Sequence, residues 1–366
     1  MLKLLVLVLS VTCCFAQHLP IPALDFAPEK YICYRAEGGI TVDGKLDEVS
    51  WERAEWTADF VDIEGELKPA PRFCTRAKML WDETNFYIAA KLEEPDIWGT
   101  LQNRDDIIFY DNDFEVFIDP DGNTRGYAEF EMNALNTIWD LFLIMPYRDI
   151  EQAAVHGWDI KGIASGVHVD GTLNKPGDQD NFWTVEIAFP FAAFGEIAQV
   201  AIPPQDGDQW RVNFSRVEWK TEVTDGVYQK QVNPATNKPY PEDNWVWSPQ
   251  GVVNMHYPEM WGYVQFSNQI TGSEEVAFKE RPEEAAKWFL RQLYYRQKNY
   301  HQKTGMFSAG LEQLQIEFKP LGGFSTKPVI ERTTNLYEAY LQADDGTSRI
   351  YIDHSGLTWI TQSNDN

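Results

Sequence analysis

The chain has 366 residues, with 31 Lys and Arg against 56 Asp and Glu, a formal net charge of −25. Its 14 Trp, 16 Tyr and 21 Phe exclude a disordered chain, and the length suggests two domains or three. The acidic balance excludes nucleic acid and anionic membrane surfaces as partners, since both demand a positive footprint. Neutral ligands and divalent cations remain.

Residues 1–16 read as a signal peptide. Lys3 supplies a positive start, Leu4 to Val11 an apolar run, and Cys14-Phe15-Ala16 a cleavage site before Gln17. The run is too short to span a bilayer, which needs about 20 residues. A lipoprotein reading fits poorly, because Thr12 and Cys13 are the residues before Cys13 and Cys14. The expectation is an exported protein without a membrane span: periplasmic, cell-surface or secreted. Cleavage leaves Cys33 and Cys74 in an oxidising compartment, and a Cys33–Cys74 disulfide is the economical expectation. Two buried free thiols are the alternative.

From about Tyr31 to Phe266 short strands alternate with turns. Period-2 patterns run through Phe114 to Ile118, Tyr127 to Asn133, Trp183 to Phe189 and Trp210 to Trp219. Turn signals stand at Val42-Asp43-Gly44-Lys45, Asp119-Pro120-Asp121-Gly122 and Gln205-Asp206-Gly207-Asp208. This texture predicts an antiparallel β-sandwich over residues 17–270. A small α+β domain is predicted over 271–366. Its helix opens at Pro282-Glu283-Glu284 and carries Ala286, Phe289, Leu290, Leu293 and Tyr294 at helical spacing. Strands are expected over Tyr337–Gln342 and Arg349–Asp353.

The densest polar signal is the stretch Asp111-Asn112-Asp113-Phe114-Glu115-Val116-Phe117-Ile118-Asp119-Pro120-Asp121-Gly122. Alternation puts Phe114, Val116 and Ile118 on one face and Glu115 and Asp119 on the other. Hard oxygen ligands at Asp111, Asp113, Asp119 and Asp121 suit calcium at one strand end, although an EF-hand template fails at Thr124 and Phe130. The following strand places Tyr127, Glu129, Glu131 and Asn133 on one face. If it pairs with the Glu115 strand, its acids meet Glu115, and like charges directly opposite destabilise a sheet unless a cation intervenes. Arg211, Arg216 or a metal are the available cations. Paired carboxylates also admit a glycosidase, with Glu115, Glu129, Glu131 and Glu186 as its possible acid, base or nucleophile. The bland reading is a solvated turn and a polar strand face.

The aromatic residues divide in the same way. Trp183 and Trp210 alternate with apolar residues and read as core, whereas Trp98, Trp158, Trp245 and Trp247 lie in or beside loops. Exposed rings beside carboxylates and amides suit sugar binding, the ring covering the C–H face. No Gly-x-Ser-x-Gly elbow, phosphate loop or haem-attachment motif is present.

Val42-Asp43-Gly44-Lys45-Leu46-Asp47-Glu48 with Trp51 resembles the opening of family 9 carbohydrate-binding modules. Met79-Leu80-Trp81-Asp82 with Phe86-Tyr87-Ile88-Ala89 looks like their next strand pair. Asp111 to Asp119 is similar to their acidic strand, Trp183 to Ala188 and Trp210 to Phe214 to later strands, and Trp247-Ser248-Pro249 with Trp261-Gly262 to the closing one. The resemblance covers residues 31–267. It implies a DOMON-related β-sandwich, structural calcium, and a pocket of two aromatic rings that grips xylan or cellulose chain ends. The first stacking ring falls on Phe109; the second falls near Met255, unless Trp245, Trp247 or Tyr257 replaces it. Trp98, Phe109 and Tyr110 are thus expected on one pocket wall, Trp245 or Trp247 on another, with Asn103, Arg104 and Asn254 taking hydroxyls. Leu293-Tyr294-Tyr295-Arg296-Gln297 with Gly305-Met306-Phe307 is similar to the start of pilin and pseudopilin head domains, and no function is drawn from it. The leading reading is therefore an exported binding protein for polysaccharide or oligosaccharide. An O-glycosyl hydrolase is the alternative, a haem-binding DOMON relative ranks third, and the partner of the C-terminal domain is unknown.

Overall fold

The computed structural model describes residues 18–362. The signal-peptide reading, with Cys13 and Cys14, lies outside the described residues. Two-residue alternation builds the first unit. Phe114, Val116 and Ile118 point to one side of strand Asp113–Asp119, as do Ala128, Phe130 and Met132 on its antiparallel neighbour Tyr127–Asn133. Strands Phe182–Pro190, Asn85–Glu93 and Thr75–Trp81 supply Val185, Ile187, Ile88, Leu92 and Met79 to the same core. Phe130 meets Phe189 at 5.4 Å and Trp210 meets Phe86 at 6.1 Å, ring to ring, across the space between the two halves. The fold is a mainly β sandwich.

One continuous hydrogen-bonded sheet of 13 strands makes both halves. Strand Lys30–Arg35 forms the corner, because it runs parallel to both Gly262–Ile270 and Thr75–Trp81 and shifts register between Cys33 and Arg35. That register decides the cysteines: no Cys33–Cys74 disulfide forms, and both thiols are free. Tyr34 pairs with Leu80, the sixth residue after Cys74. At about 3.3 Å per residue the separation far exceeds the ~7 Å Cα limit for a bridge. Cys33 is buried in the core, and burial pushes its thiol well above the usual range.

The second unit is a helix laid on a four-stranded antiparallel sheet. The helix spans Pro282–Thr304, with Pro282 at its first position, Glu283 and Glu284 in its first turn, and a left-handed Gly305 ending it. Phe289, Leu290 and Leu293 pack on Ala339, Leu341, Ile350 and Ile352 of the sheet. The strands expected at Tyr337–Gln342 and Arg349–Asp353 form as Tyr337–Gln342 and Ser348–Asp353, and Val329–Arg332 and Thr358–Gln362 join them. Val252, Tyr257 and Met260 of the first unit belong to the same apolar cluster as the helix. Glu284 extends that contact, accepting from Arg211 at 3.0 Å and from the Tyr263 hydroxyl at 2.8 Å. Among the described residues, no helix is long and apolar enough to cross a membrane.

Two predictions follow from these contacts. A thiol reagent should label Cys74 in the folded protein and Cys33 only in denaturant; labelling of neither under non-reducing conditions would restore the disulfide. The second concerns Glu284, whose carboxyl is held down to about 2 because Lys287 and Arg211 outweigh its burial. Its folded value lies below its unfolded one, so its stabilisation is complete above about 4.5 and is lost as pH falls toward about 2. Glu284→Gln should remove that acid-labile part, on the order of 3 kcal/mol, from a plot of melting temperature against pH.

Candidate functional site

The turn that opens the matched motif is fastened from beneath. Glu186 accepts hydrogen bonds from the Asp43 and Gly44 backbone N–H groups at 2.9 and 3.1 Å and from Trp51 Nε1 at 2.7 Å. Gly44 is required there. Its φ is +86°, and a Cβ would lie 2.4 Å from the Val167 carbonyl carbon. Burial lifts the Glu186 carboxyl to about 7, although all three donors pull it down. Glu186 therefore anchors a turn and leaves the glycosidase set.

The other three glutamates do converge. On the outer face of the sheet, Trp139, Glu131, Glu115, Ser215 and Val246 form one row across five strands. Glu129 sits opposite Phe117, and Asp113 opposite Asn133, in the rows on either side. One carboxylate oxygen each of Asp113, Glu115 and Glu131 lies within 4.8 Å of the others. Burial raises all of them, Glu115 to about 7 and Asp113, Glu129 and Glu131 well above the carboxylate range. For the last three, the Glu115 charge is the next cause.

A short helical turn, Ile108–Tyr110, roofs this face. The Phe109 N–H donates to Glu131 Oε2 at 3.0 Å, and the Phe109 carbonyl accepts from Trp219 Nε1 at 2.8 Å. The Tyr110 ring lies 4.7 Å from that of Phe109, tilted to it by 53°, and Tyr110 is 51% exposed. Lys230, from the hairpin Thr221–Lys230, lies 3.3 Å over the Trp219 ring and 5.5 Å over Tyr110. Burial lowers its ammonium to about 8. Tyr147 faces the same carboxylates: burial first, then Glu129 and Glu131, lift its hydroxyl to about 12.

The structure disperses much of the predicted pocket. Trp98, Trp245 and Trp247 are all buried and cannot form pocket walls. Trp247 packs where Gly262 leaves room, since a Cβ there would come 2.5 Å from its ring. Trp245 lies against Phe73 and the Arg216 guanidinium, and Trp98 against Val217 and Trp219. Arg104 is taken up by Asp140 and Asp159, Asn103 by Asp106, and the Asn254 side chain by the His256 N–H. Of the predicted rings, Phe109 and Tyr110 remain at the carboxylate face. Met255 is buried in the apolar cluster of Trp261 and Phe117.

The predicted calcium ligands also separate. Asp111 precedes and Asp113 begins the acidic strand, whereas Asp119 ends it, about 20 Å from Asp113 by strand rise, and Asp121 follows. Asp111 is consumed by Thr100, Leu101 and Asn133. Asp119 caps its turn through the Gly122 and Thr124 N–H groups. These four do not make one site. Trp139, Tyr147, Ser215, Trp219 and Lys230 join the face without having been predicted there. The two-residue period indicated the side of the sheet for Ser215 and Trp219; the loop and hairpin residues had no such signal.

The fold and this polar, ring-edged face are those of an antiparallel β-sandwich module. The chain belongs to the family described as carbohydrate family 9 binding domain-like, whose sequence profile matches residues 42–265. No curated relative matches. Among solved structures, the chain is similar to a Bacteroides uniformis ATCC 8492 protein described as a candidate carbohydrate-binding protein. The TM-score is 0.49 at 14% identity, covering 66% of this chain and 100% of that one. It is also similar to a family 9 carbohydrate-binding module from Caldicellulosiruptor kristjanssonii solved with cellotriose, with TM-score 0.41, 13% identity and coverage of 69% and 100%. The same module's glucose complex matches at 0.41 and 13%, covering 67% and 98%.

Replacing Glu186 tests the anchoring role. Glu186→Ala strands three buried or part-buried donors and should cost roughly 3 kcal/mol, with Glu186→Gln between it and the parent. Urea unfolding measures it; an unchanged midpoint would return Glu186 to the list of functional candidates.

Proposed function

We propose that this protein is an exported carbohydrate-binding protein for plant-type polysaccharide of the xylan and cellulose class, or for its chain ends, serving carbohydrate catabolism. The observation that carries the reading is the family match across residues 42–265. The exposed Tyr110 ring, backed by Phe109 at the edge of the polar face, supports the location. An aromatic ring offers its face to the C–H side of a sugar, and the Lys230 ammonium lies 5.5 Å over the Tyr110 ring as a hydrogen-bonding group. Export rests on the composition of residues 1–16. The carboxylates beneath the roof are 0–6% exposed, which favours binding above them over hydrolysis by them.

Affinity-gel electrophoresis on soluble xylan and cellulose derivatives tests this reading. Tyr110→Ala combined with Phe109→Ala should weaken retardation about tenfold, the equivalent of about 1.4 kcal/mol, while Tyr110→Ala alone leaves the melting temperature unchanged. Undiminished retardation in both variants would move the site elsewhere. Release of reducing sugar from xylan by the parent, lost in Glu129→Gln and Glu131→Gln, would replace the binding reading with a hydrolase.

A further inference from the structure

The helix-and-sheet unit has a second face, turned away from its helix. Ala339, Leu341, Ile350 and Ile352 lie under the helix, so the two-residue period sends their neighbours to the far side of the sheet. Cross-strand register lines up Val329, Tyr340, Tyr351 and Trp359 in one row across all four strands. The Tyr340 and Tyr351 rings are 5.1 Å apart and tilted by 40°. Tyr351 and Trp359 are 5.0 Å apart and nearly parallel, at 5°. All three rings are half-buried, and all lie outside the residues 42–265 that carry the family match.

Trp359 stands at the end of that stack. Its strand, Thr358–Gln362, is the edge of the sheet. Tyr351 covers one side of the indole, and among the described residues no other ring stands against it. The next row of the same face places Glu331 opposite Glu338 and Glu338 opposite Asp353. Burial, then the charges of Glu331 and Asp353, raise the Glu338 carboxyl. Asp353 is fixed in position, its Oδ1 accepting from the Ser355 and Leu357 N–H groups at 2.9 and 3.1 Å. These three acids, Arg332, His354 and Trp359 border one hollow of about 480 Å³.

The lining selects its ligand by charge. Three carboxylates repel an anion, and Arg332 at the same rim disfavours a simple cation. Hydroxyl groups suit both signs, because each can donate to a carboxylate and accept from a guanidinium. The open side of the indole supplies the apolar surface that the C–H side of a sugar ring covers, and the hollow has the volume of a small-molecule site.

We infer that the outer face of this sheet is a second saccharide site. Trp359, backed by Tyr351, carries the ring of an uncharged sugar, while Glu338, Asp353 and Arg332 take its hydroxyls. The inference goes beyond the site at Tyr110 and does not rest on the family match. Two such faces give one chain two holds on a polysaccharide, so weak sites reinforce each other through effective concentration.

Isothermal titration of the full chain with cellohexaose, and separately with xylohexaose, tests the inference. Trp359→Ala should lower the number of oligosaccharides bound per chain by one. Tyr110→Ala combined with Phe109→Ala should leave one bound, and adding Trp359→Ala to that pair should weaken the remainder at least about tenfold. Trp359→Phe, which keeps a ring, should bind within about threefold of the parent. Glu338→Gln relieves the repulsion along the acidic row, so it should melt no lower than the parent yet bind about threefold more weakly at this site. That combination separates a ligand contact from a role in holding the sheet together. Polygalacturonate, an anionic glycan, should not bind to the Tyr110→Ala, Phe109→Ala protein. No heat with either oligosaccharide in that protein would overturn the inference, and heat in the parent would then leave the Tyr110 site standing. Binding that survives both Trp359→Ala and Glu338→Gln would overturn it as well. So would capture of oligolysine in place of the oligosaccharide, lost in Trp359→Ala, which would make this face a dock for a basic polypeptide.

Discussion

Like charges placed opposite one another across a buried strand pair are the constraint this sandwich has to satisfy. The alternation that sinks Phe114, Val116 and Ile118 into the core also sends Glu115 to the outer face, where Glu131 stands directly across from it. Loops and a hairpin then cover that face, so water cannot screen the pair. A neutralising contact is needed, and proton uptake or a cation can provide it. The Ile108–Tyr110 roof is tied to that face where the Phe109 N–H donates to Glu131.

Elsewhere the protein satisfies buried charge with its own groups. Arg216 lies between Glu94 and Glu218, and Arg148 between Glu259 and Asp149 at 2.9 and 3.7 Å. Arg291 reaches from the long helix to Thr124 of the first unit, and Glu284 reaches to Arg211 and Tyr263. Removing one member of such a set leaves a desolvated charge, at a cost of about 3–5 kcal/mol. The helix-and-sheet unit is therefore joined to the sandwich by directional contacts as well as by the cluster around Tyr257 and Met260. Against this background Asp113, Glu115, Glu129 and Glu131 stand out, because among the described residues none of them has an ion-pair partner.

The aromatic residues show how composition misleads about a site. Fourteen tryptophans in an acidic chain suggest sugar-binding platforms, yet Trp98, Trp245 and Trp247 all close or fill the sandwich. Large rings are buried wherever a neighbour leaves space, as Gly262 does for Trp247. A ring remains a platform only when its backbone projects beyond the sheet, as the turn at Phe109 and Tyr110 does. The family match and the exposed Tyr110 ring together favour a binding module with a small aromatic surface over a long tryptophan-lined cleft.

The strands were legible because burial on one side imposes a two-residue period, which a single chain displays without reference to any other segment. Asp113–Asp119, Tyr127–Asn133 and Gln209–Glu218 follow that period, and the helix from Pro282 to Gly305 carries its own start and stop residues. The motif from Asp43 to Trp51 and the acidic strand likewise carried the family resemblance unaided. What neighbours decided could not be read in this way. The parallel corner strand separated Cys33 from Cys74, the strand length parted Asp119 from Asp113, and cross-strand register brought Glu115 to Glu131. Local pattern reports which side of a strand is buried. Only the packing of distant segments determines which charges, thiols and rings come to share a place.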